Sequence, residues 1–104
     1  MTRRVVYSPR AQEQLDRLYL WIAEQSGLPD RAECYVSAIL GYCDGLAEFP
    51  MIGIARDDLR AGLRTIGFLH RAVITFAVHE TAIEIHGVYY GGQDYESLIA
   101  DENS

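Results

Sequence analysis

The chain has 104 residues, of which 49% are hydrophobic and 23% are charged, and its formal net charge is −6. This length predicts a single domain spanning residues 1–104, and the composition excludes disordered, collagen-like and disulfide-rich chains. No apolar run reaches the ~18–20 residues of a membrane span. The apolar run near the amino terminus is shorter than the ~7–15 residues of a signal peptide. We therefore expect a cytoplasmic protein with no membrane partner.

The charges are unevenly distributed along the chain, and every basic residue is an arginine. Residues 1–48 carry a net charge of −2, residues 49–79 carry +2, and residues 80–104 carry −6. An acidic chain is not attracted as a whole to nucleic acid. We therefore expect no direct sequence-specific binding of nucleic acid.

The two cysteines, Cys34 and Cys43, are nine positions apart. On one helix they would be separated by ~13.5 Å along the axis and would point in opposite directions. A disulfide needs Cα atoms within ~7 Å, so a bridge between them is excluded. Free thiols are typical of a reducing compartment, in agreement with a cytoplasmic location.

The first half of the chain predicts a strand at residues 3–7 followed by two amphipathic helices. Ser8 and Pro9 are residues typical of a helix start, and Gly27 is typical of a helix end. Pro29 begins the second helix, which we expect to end at Phe49 and Pro50. Apolar residues recur every three or four positions in the two stretches: Ala11, Leu15, Leu18, Tyr19 and Ile22, then Ala32, Tyr35, Val36, Ile39, Leu40, Cys43 and Leu46.

The second half predicts three strands, at residues 63–68, 71–78 and 82–90, with short antiparallel connections. In the last strand Val88 falls out of phase with Ile83 and Ile85, which predicts a β-bulge near Gly87. His86 is expected on the exposed side of this strand. The acidic tail, residues 96–104, is expected to fray.

Helices followed by strands indicate an α+β domain. We expect an N-terminal strand and an antiparallel α-helical hairpin packed on one face of a small antiparallel β-sheet. The other face of the sheet is then open to solvent or to a partner.

No arrangement of residues typical of catalysis or metal binding is present in the sequence. The histidines His70, His79 and His86 lack the spacing of metal ligands, and neither cysteine belongs to a CxxC pair. The sequence contains no nucleophile elbow, phosphate-binding loop or dinucleotide fingerprint, and Gly91-Gly92 is typical of a turn. We therefore predict no catalytic residues, no metal and no cofactor.

The basic segment provides one candidate surface. It contains Arg56, Arg60, Arg64 and Arg71. Because Arg64 and Arg71 fall on neighbouring predicted strands, we expect them to approach each other on the open face and to contact an anion or a partner. The alternative is that these arginines only solvate the face, partly neutralised by nearby aspartates.

Helix one provides a second candidate surface. Leu20 lies opposite its apolar stripe and Trp21 lies on its flank. Single exposed apolar residues are common, but two large neighbours indicate a docking patch.

Several segments in this order resemble the RelE/ParE superfamily of toxins from type II toxin–antitoxin systems, over about residues 4–98. The segment Asp58-Leu59-Arg60-Ala61-Gly62-Leu63-Arg64 is similar to the ParE branch in particular. The other segments that carry the resemblance are Val6-Tyr7-Ser8-Pro9-Arg10-Ala11, Phe49-Pro50-Met51-Ile52-Gly53 and Ile85-His86-Gly87-Val88-Tyr89-Tyr90-Gly91-Gly92-Gln93-Asp94. One departure is Tyr90, where members often have a histidine.

The resemblance to the ParE branch implies an inhibitor that binds DNA gyrase and is neutralised by a cognate ParD-like antitoxin, in a hetero-oligomer. We assign Arg60, Arg64, Arg71, Tyr89 and Tyr90 as candidate contacts with the target, with at least one tyrosine accessible. Leu20 and Trp21 are the candidate contacts with the antitoxin.

Two alternatives stay open. RelE-type members are ribosome-dependent mRNA endoribonucleases whose catalysis needs clustered cations, and Arg71 matches one such arginine. The basic residues expected after the last strand are replaced here by Gly91, Gly92 and Gln93. The other alternative is a non-toxic family member that only binds its antitoxin.

Overall fold

The computed structural model describes residues 3–69, 72–91 and 93–102. Its elements in chain order are β1 (Arg4–Tyr7), α1 (Pro9–Ser26), α2 (Pro29–Gly45), β2 (Ile54–Ala55), β3 (Leu63–Phe68), β4 (Ala72–Val78), β5 (Ala82–Tyr90) and α3 (Tyr95–Glu102). The α+β class predicted from the sequence is confirmed. Of the helices in these ranges, none is both long and apolar enough to cross a membrane.

The described strands form one sheet in the order β1-β5-β4-β3-β2. The predicted antiparallel pairing of β3 with β4 and of β4 with β5 is confirmed. The expectation of a wholly antiparallel sheet is wrong, because β1 pairs with β5 in parallel. Two helices and three strands separate β1 from β5 in the chain, so no tight turn dictates their relative direction. The two-residue strand β2, which was not predicted, adds an edge beside β3.

Both ends of α1 follow the prediction. The Ser8 hydroxyl oxygen accepts a hydrogen bond from the backbone N–H of Ala11 at 3.0 Å, which caps the first turn. The same hydroxyl donates to the carbonyl oxygen of His86 at 2.8 Å, which fastens the start of α1 to β5. Gly27 ends the helix in the left-handed conformation, and its N–H donates to the carbonyl of Ala23.

The helical hairpin packs on one face of the sheet, as expected, although α2 ends at Gly45 rather than at Phe49. Both predicted apolar stripes contribute to the resulting core, which we call the helix-side core. Its fully buried members include Ala11, Leu18, Ile39, Cys43, Ile74, Phe76, Ile83, Ile85 and Val88.

A β-bulge in β5 was predicted, and the strand register confirms it. Thr75 pairs with Gly87 and Phe76 pairs with Ile85, so His86 is the extra residue. The expectation that His86 is exposed is wrong, because it is only 7% exposed. The bulge places its Nδ1 3.3 Å from the Thr75 hydroxyl on the neighbouring strand.

The expectation that residues 96–104 fray is wrong for residues 96–102, which belong to α3, and residues 103 and 104 lie outside the described residues. Asp94 begins this helix by accepting hydrogen bonds from the Ser97 hydroxyl at 2.7 Å and the Ser97 N–H at 3.3 Å. These bonds lower the pKa of Asp94. Ile99 on α3 is fully buried with Leu63 and Tyr89. The second face of the sheet, expected to be open, is therefore partly covered.

Arg64 fastens the segment 51–53, which connects α2 to the sheet. Its guanidinium donates to the carbonyl oxygens of Ile52 at 3.0 Å, Met51 at 3.2 Å and Gly53 at 3.4 Å. Arg64 pairs with Phe76 of the helix-side core, so it lies on the helix-facing side of β3. The prediction that Arg64 lies on the open face is therefore wrong.

We expect Gly53→Ala to destabilise the protein strongly. Gly53 has a φ of 78°, and a Cβ there would overlap the carbonyl oxygen of Thr65. Gly62→Ala is the matched control, because Gly62 has a φ of 79° but open space around it. Gly62→Ala should lower the free energy of unfolding by about 1–2 kcal/mol through backbone strain alone. Urea unfolding should show a larger loss for Gly53→Ala, and equal losses would contradict the overlap.

Arg64→Ala should lower the free energy of unfolding by about 2 kcal/mol, because it removes charge-assisted hydrogen bonds to backbone carbonyls. The control is Arg60→Ala at an exposed turn position, which should change stability by less than about 0.5 kcal/mol. Urea unfolding of both variants measures the difference. If the two variants lose the same free energy of unfolding, Arg64 does not hold the segment 51–53.

Candidate functional site

Leu20 and Trp21 form an exposed apolar patch on α1, as the sequence predicts. The side chain of Leu20 is 60% exposed and that of Trp21 is 39% exposed. The indole of Trp21 lies against the ring of Tyr90 at the end of β5, with the ring centroids 5.6 Å apart. The structure therefore brings a candidate antitoxin contact and a candidate target contact together. We call Leu20, Trp21 and Tyr90 the aromatic patch.

The end of β5 holds Tyr90 in place beside Trp21. Its backbone N–H donates to the side-chain oxygen of Gln93 at 3.0 Å, which closes the turn after the strand. Gly91 allows this turn with a φ of 63°. A Cβ at Gly91 would lie 4.0 Å from the indole of Trp21, in ordinary contact. The position of the Tyr90 ring is thus determined by both the strand and the turn.

Tyr89 does not join the aromatic patch. It is 1% exposed and packs with Leu63 and Ile99 on the second face of the sheet. Its ring lies 6.0 Å from that of Tyr95 on α3. As neighbours in β5, Tyr89 and Tyr90 point to opposite faces of the sheet, so of the two only Tyr90 is accessible to a partner.

The candidate arginines do not form one cluster in the described part of the chain. Arg64 binds the carbonyls of the segment 51–53, and Arg60 is exposed in the turn between β2 and β3. Arg71 lies outside the described residues. The expected approach of Arg64 to Arg71 stays a prediction, although Arg64 itself lies on the helix-facing side of β3.

Arg56 has a role that sequence reasoning missed, because it holds α3 against the sheet. Its guanidinium donates to Glu96 at 2.6 Å and to the Tyr95 hydroxyl at 3.2 Å. It also forms two hydrogen bonds with Asp58, which lower the pKa of that carboxyl. The available signal was the opposite net charge of residues 49–79 and residues 80–104.

Buried polar residues on the sheet serve its own structure. Thr75 is fully buried, and its hydroxyl donates to the carbonyl of Gly87 at 3.3 Å, beside the ring of His86. These contacts hold the bulge together. Within the described ranges, no three His, Cys, Asp or Glu side chains are grouped closely enough to hold a metal ion.

The two cysteines are both free. Cys34 is exposed on α2 and Cys43 is buried in the helix-side core. Burial raises the pKa of Cys43 from 9.0 to about 11, so its thiol stays protonated at neutral pH. The prediction that no bridge joins them is confirmed.

Comparisons with known proteins bear on the fold and the family of the chain. A solved structure described as the chromosomal ParDE TA system from P. aeruginosa contains a chain with the same fold, with a TM-score of 0.74 and 21% sequence identity. The match covers 86% of this chain and 96% of that chain. Among curated proteins, none matches significantly.

A family profile gives the more direct assignment. The profile described as "ParE toxin of type II toxin-antitoxin system, parDE" matches residues 5–95, which is most of the chain. The chain therefore belongs to the ParE toxin family and is the toxin component of a type II toxin–antitoxin module.

Proposed function

We propose that this protein inhibits DNA gyrase by binding it, without acting as an enzyme, and that a ParD-like antitoxin neutralises it in the cytoplasm. Membership of the ParE family supports this function. The observation that carries the proposal is the contact between Trp21 and Tyr90, because it joins the two candidate surfaces in one accessible place. An inhibitor that works by binding needs such a surface rather than an active site.

The aromatic patch has the properties of a binding surface. Tryptophan and tyrosine dominate binding hot spots because they offer a large area together with a hydrogen-bonding group. Tyr90 packs against the helix-side core while the residue stays partly accessible, so this part of the patch is rigid. A rigid patch loses little conformational entropy when a partner binds. We assign Tyr90 and Arg60 as target contacts, and Arg71 stays a candidate.

The same geometry supports neutralisation by occlusion. An amphipathic antitoxin helix that buries Leu20 and Trp21 would also cover Tyr90, because Trp21 and Tyr90 are in contact. The target and the antitoxin then compete for one place on the toxin.

The position of Arg64 argues against a ribonuclease of the RelE type. That chemistry needs several cations around one phosphate group. Arg64 instead directs its guanidinium at the carbonyls of the segment 51–53 on the helix-facing side. The protein is therefore proposed to act as an inhibitor that binds its target and not as a nuclease.

The purified protein should make gyrase accumulate cleaved DNA. Gyrase, supercoiled plasmid and ATP are incubated with the protein. The amount of linear DNA is then measured after gyrase has been denatured. Tyr90→Ala and Arg60→Ala should each reduce the effect at least ~10-fold, since loss of a hot-spot contact costs more than about 1.4 kcal/mol. Ser37→Ala, at an exposed position on α2, is the control.

A parallel assay with translating ribosomes separates the alternatives. Codon-specific mRNA cleavage without an effect on gyrase would assign the protein to the RelE-type ribonucleases. Absence of both effects from a protein that still binds its antitoxin would indicate a non-toxic member.

Leu20→Asp should weaken the antitoxin complex at least ~100-fold while leaving the fold intact. The change removes ~1.5–3 kcal/mol of apolar burial and places a charge in the interface. Phe49→Asp is the control, because Phe49 is a 66% exposed apolar residue at the other end of the helical hairpin. Calorimetric titration with the antitoxin encoded beside this gene measures both. Unchanged affinity of Leu20→Asp would move the interface elsewhere.

A further inference from the structure

An open groove of about 350 Å³ runs along α1 beside the aromatic patch. One wall is the N-terminal half of α1, and the other is the chain that leads from β5 into α3. The residues that matter here are Arg10, Gln14 and Arg17 on α1, and Tyr90, Gln93 and Leu98 opposite. Tyr90 belongs to both the groove and the aromatic patch, so the two surfaces are continuous. We call this feature the α1–α3 groove.

The α1 wall is a second face of the helix, next to the buried stripe. Arg10, Gln14, Arg17 and Trp21 are spaced by four, three and four residues, which places them in one row. The side-chain oxygen of Gln14 accepts a hydrogen bond from the N–H of Val88 at 2.8 Å. This bond fixes the row against the end of β5. The row therefore presents two guanidinium groups and then an indole.

The groove carries a surplus of positive charge in a chain whose net charge is −6. Its charged residues are Arg10, Arg17 and Glu13. Arg17 pairs with Glu13 at 2.5 Å, but both side chains are largely exposed, at 70% and 62%. Such a pair in water is weak, so Arg17 is able to exchange it for a better-placed carboxylate. Guanidinium groups bind carboxylates through paired, charge-assisted hydrogen bonds.

We infer that the α1–α3 groove is the charged half of the antitoxin docking surface, and that it binds carboxylate side chains of an amphipathic antitoxin helix. The inference rests on the proposed function, in which Leu20 and Trp21 bind the apolar side of that helix. Charge complementarity selects an acidic segment, and the shared Tyr90 makes the groove continuous with the apolar contact. The aromatic patch supplies affinity, whereas the groove sets the register of the antitoxin helix.

The spacing on α1 predicts a pattern in the antitoxin. Arg10 and Arg17 are ~10.5 Å apart along the helix axis, and Trp21 lies ~6 Å beyond Arg17. A helix lying parallel to α1 matches them with acidic residues at positions i and i+7 and an apolar residue at i+11. A helix in the opposite direction carries the apolar residue first, followed by acidic residues four and eleven positions later.

The competing occupant is the phosphate backbone of a nucleic acid, which two arginines also suit. Glu13 and the net charge of −6 oppose it. Leu98, which is 37% exposed on the opposite wall, gives the groove an apolar side that matches the stem of a glutamate better than a phosphate.

The test replaces the two arginines with glutamate, in Arg10→Glu, Arg17→Glu and the double variant. Their affinities for the antitoxin encoded beside this gene are measured by calorimetry at low and high salt. We expect the double variant to bind at least 30-fold more weakly and to lose most of the salt dependence. Arg31→Glu, an exposed arginine on α2 outside the groove, is the matched control and should stay within twofold.

Two further measurements keep the result interpretable. Arg17→Gln removes the charge without placing two glutamates one turn apart, so it tests the contact if Arg17→Glu disturbs α1. Exchanging the matching antitoxin glutamate for arginine should restore at least a third of the affinity lost in Arg17→Glu.

The outcomes separate the groove from the proposed function. If the unmodified protein does not bind the antitoxin, the proposed function and the groove both fail. If Leu20→Asp weakens the complex but every arginine variant binds normally, the groove is wrong and the proposed function stands. If the variants leave antitoxin binding unchanged but abolish binding to a 24-base-pair DNA duplex, the groove binds phosphate and the inference is overturned.

Discussion

The bulge at His86 is the constraint on which the accessible surface depends. Before it, Ile83 and Ile85 face the helices; after it, Val88 and Tyr90 do so. In a strand without the bulge, Tyr90 would point to the second face of the sheet and Tyr89 would lie under the helices. The bulge therefore determines that Tyr90 meets the indole on α1. The Ser8 hydroxyl also holds the bulge against the start of α1, because it donates to the carbonyl of His86 while it caps α1.

The sequence predicts an element correctly where its apolar residues repeat with the period of a helix or a strand. The apolar repeats predicted α1, α2 and the three long strands, and the phase of Val88 predicted the bulge. The period of the apolar residues could not predict on which side of β3 Arg64 lies, because both sides of this strand carry apolar residues. Leu63 faces the cluster under α3, whereas Phe68 belongs to the helix-side core. Only contacts with distant segments decide which side of such a strand is covered.

The same reasoning explains why α3 was missed and what it changes. Its apolar pattern is little more than one turn long, and most of its other residues are acidic, so the sequence resembles a solvated tail. Its position depends on long-range contacts, namely the burial of Ile99 and the bonds from Arg56 to Glu96 and the Tyr95 hydroxyl. Because α3 covers Tyr89, the proposed binding surface lies at the rim between α1 and the end of β5 and not on the open sheet.

A toxin that works by binding places a particular demand on its neutralisation. No catalytic residue has to be inactivated, so the antitoxin must deny the target a surface. It does this most directly when the two partners need the same side chain. Tyr90 is suited to that role, since its ring touches Trp21 on one side and lines the α1–α3 groove on the other. Under the proposed function, an antitoxin helix bound to either feature would exclude a target from Tyr90, and competition would then depend on relative affinity and not on a conformational change.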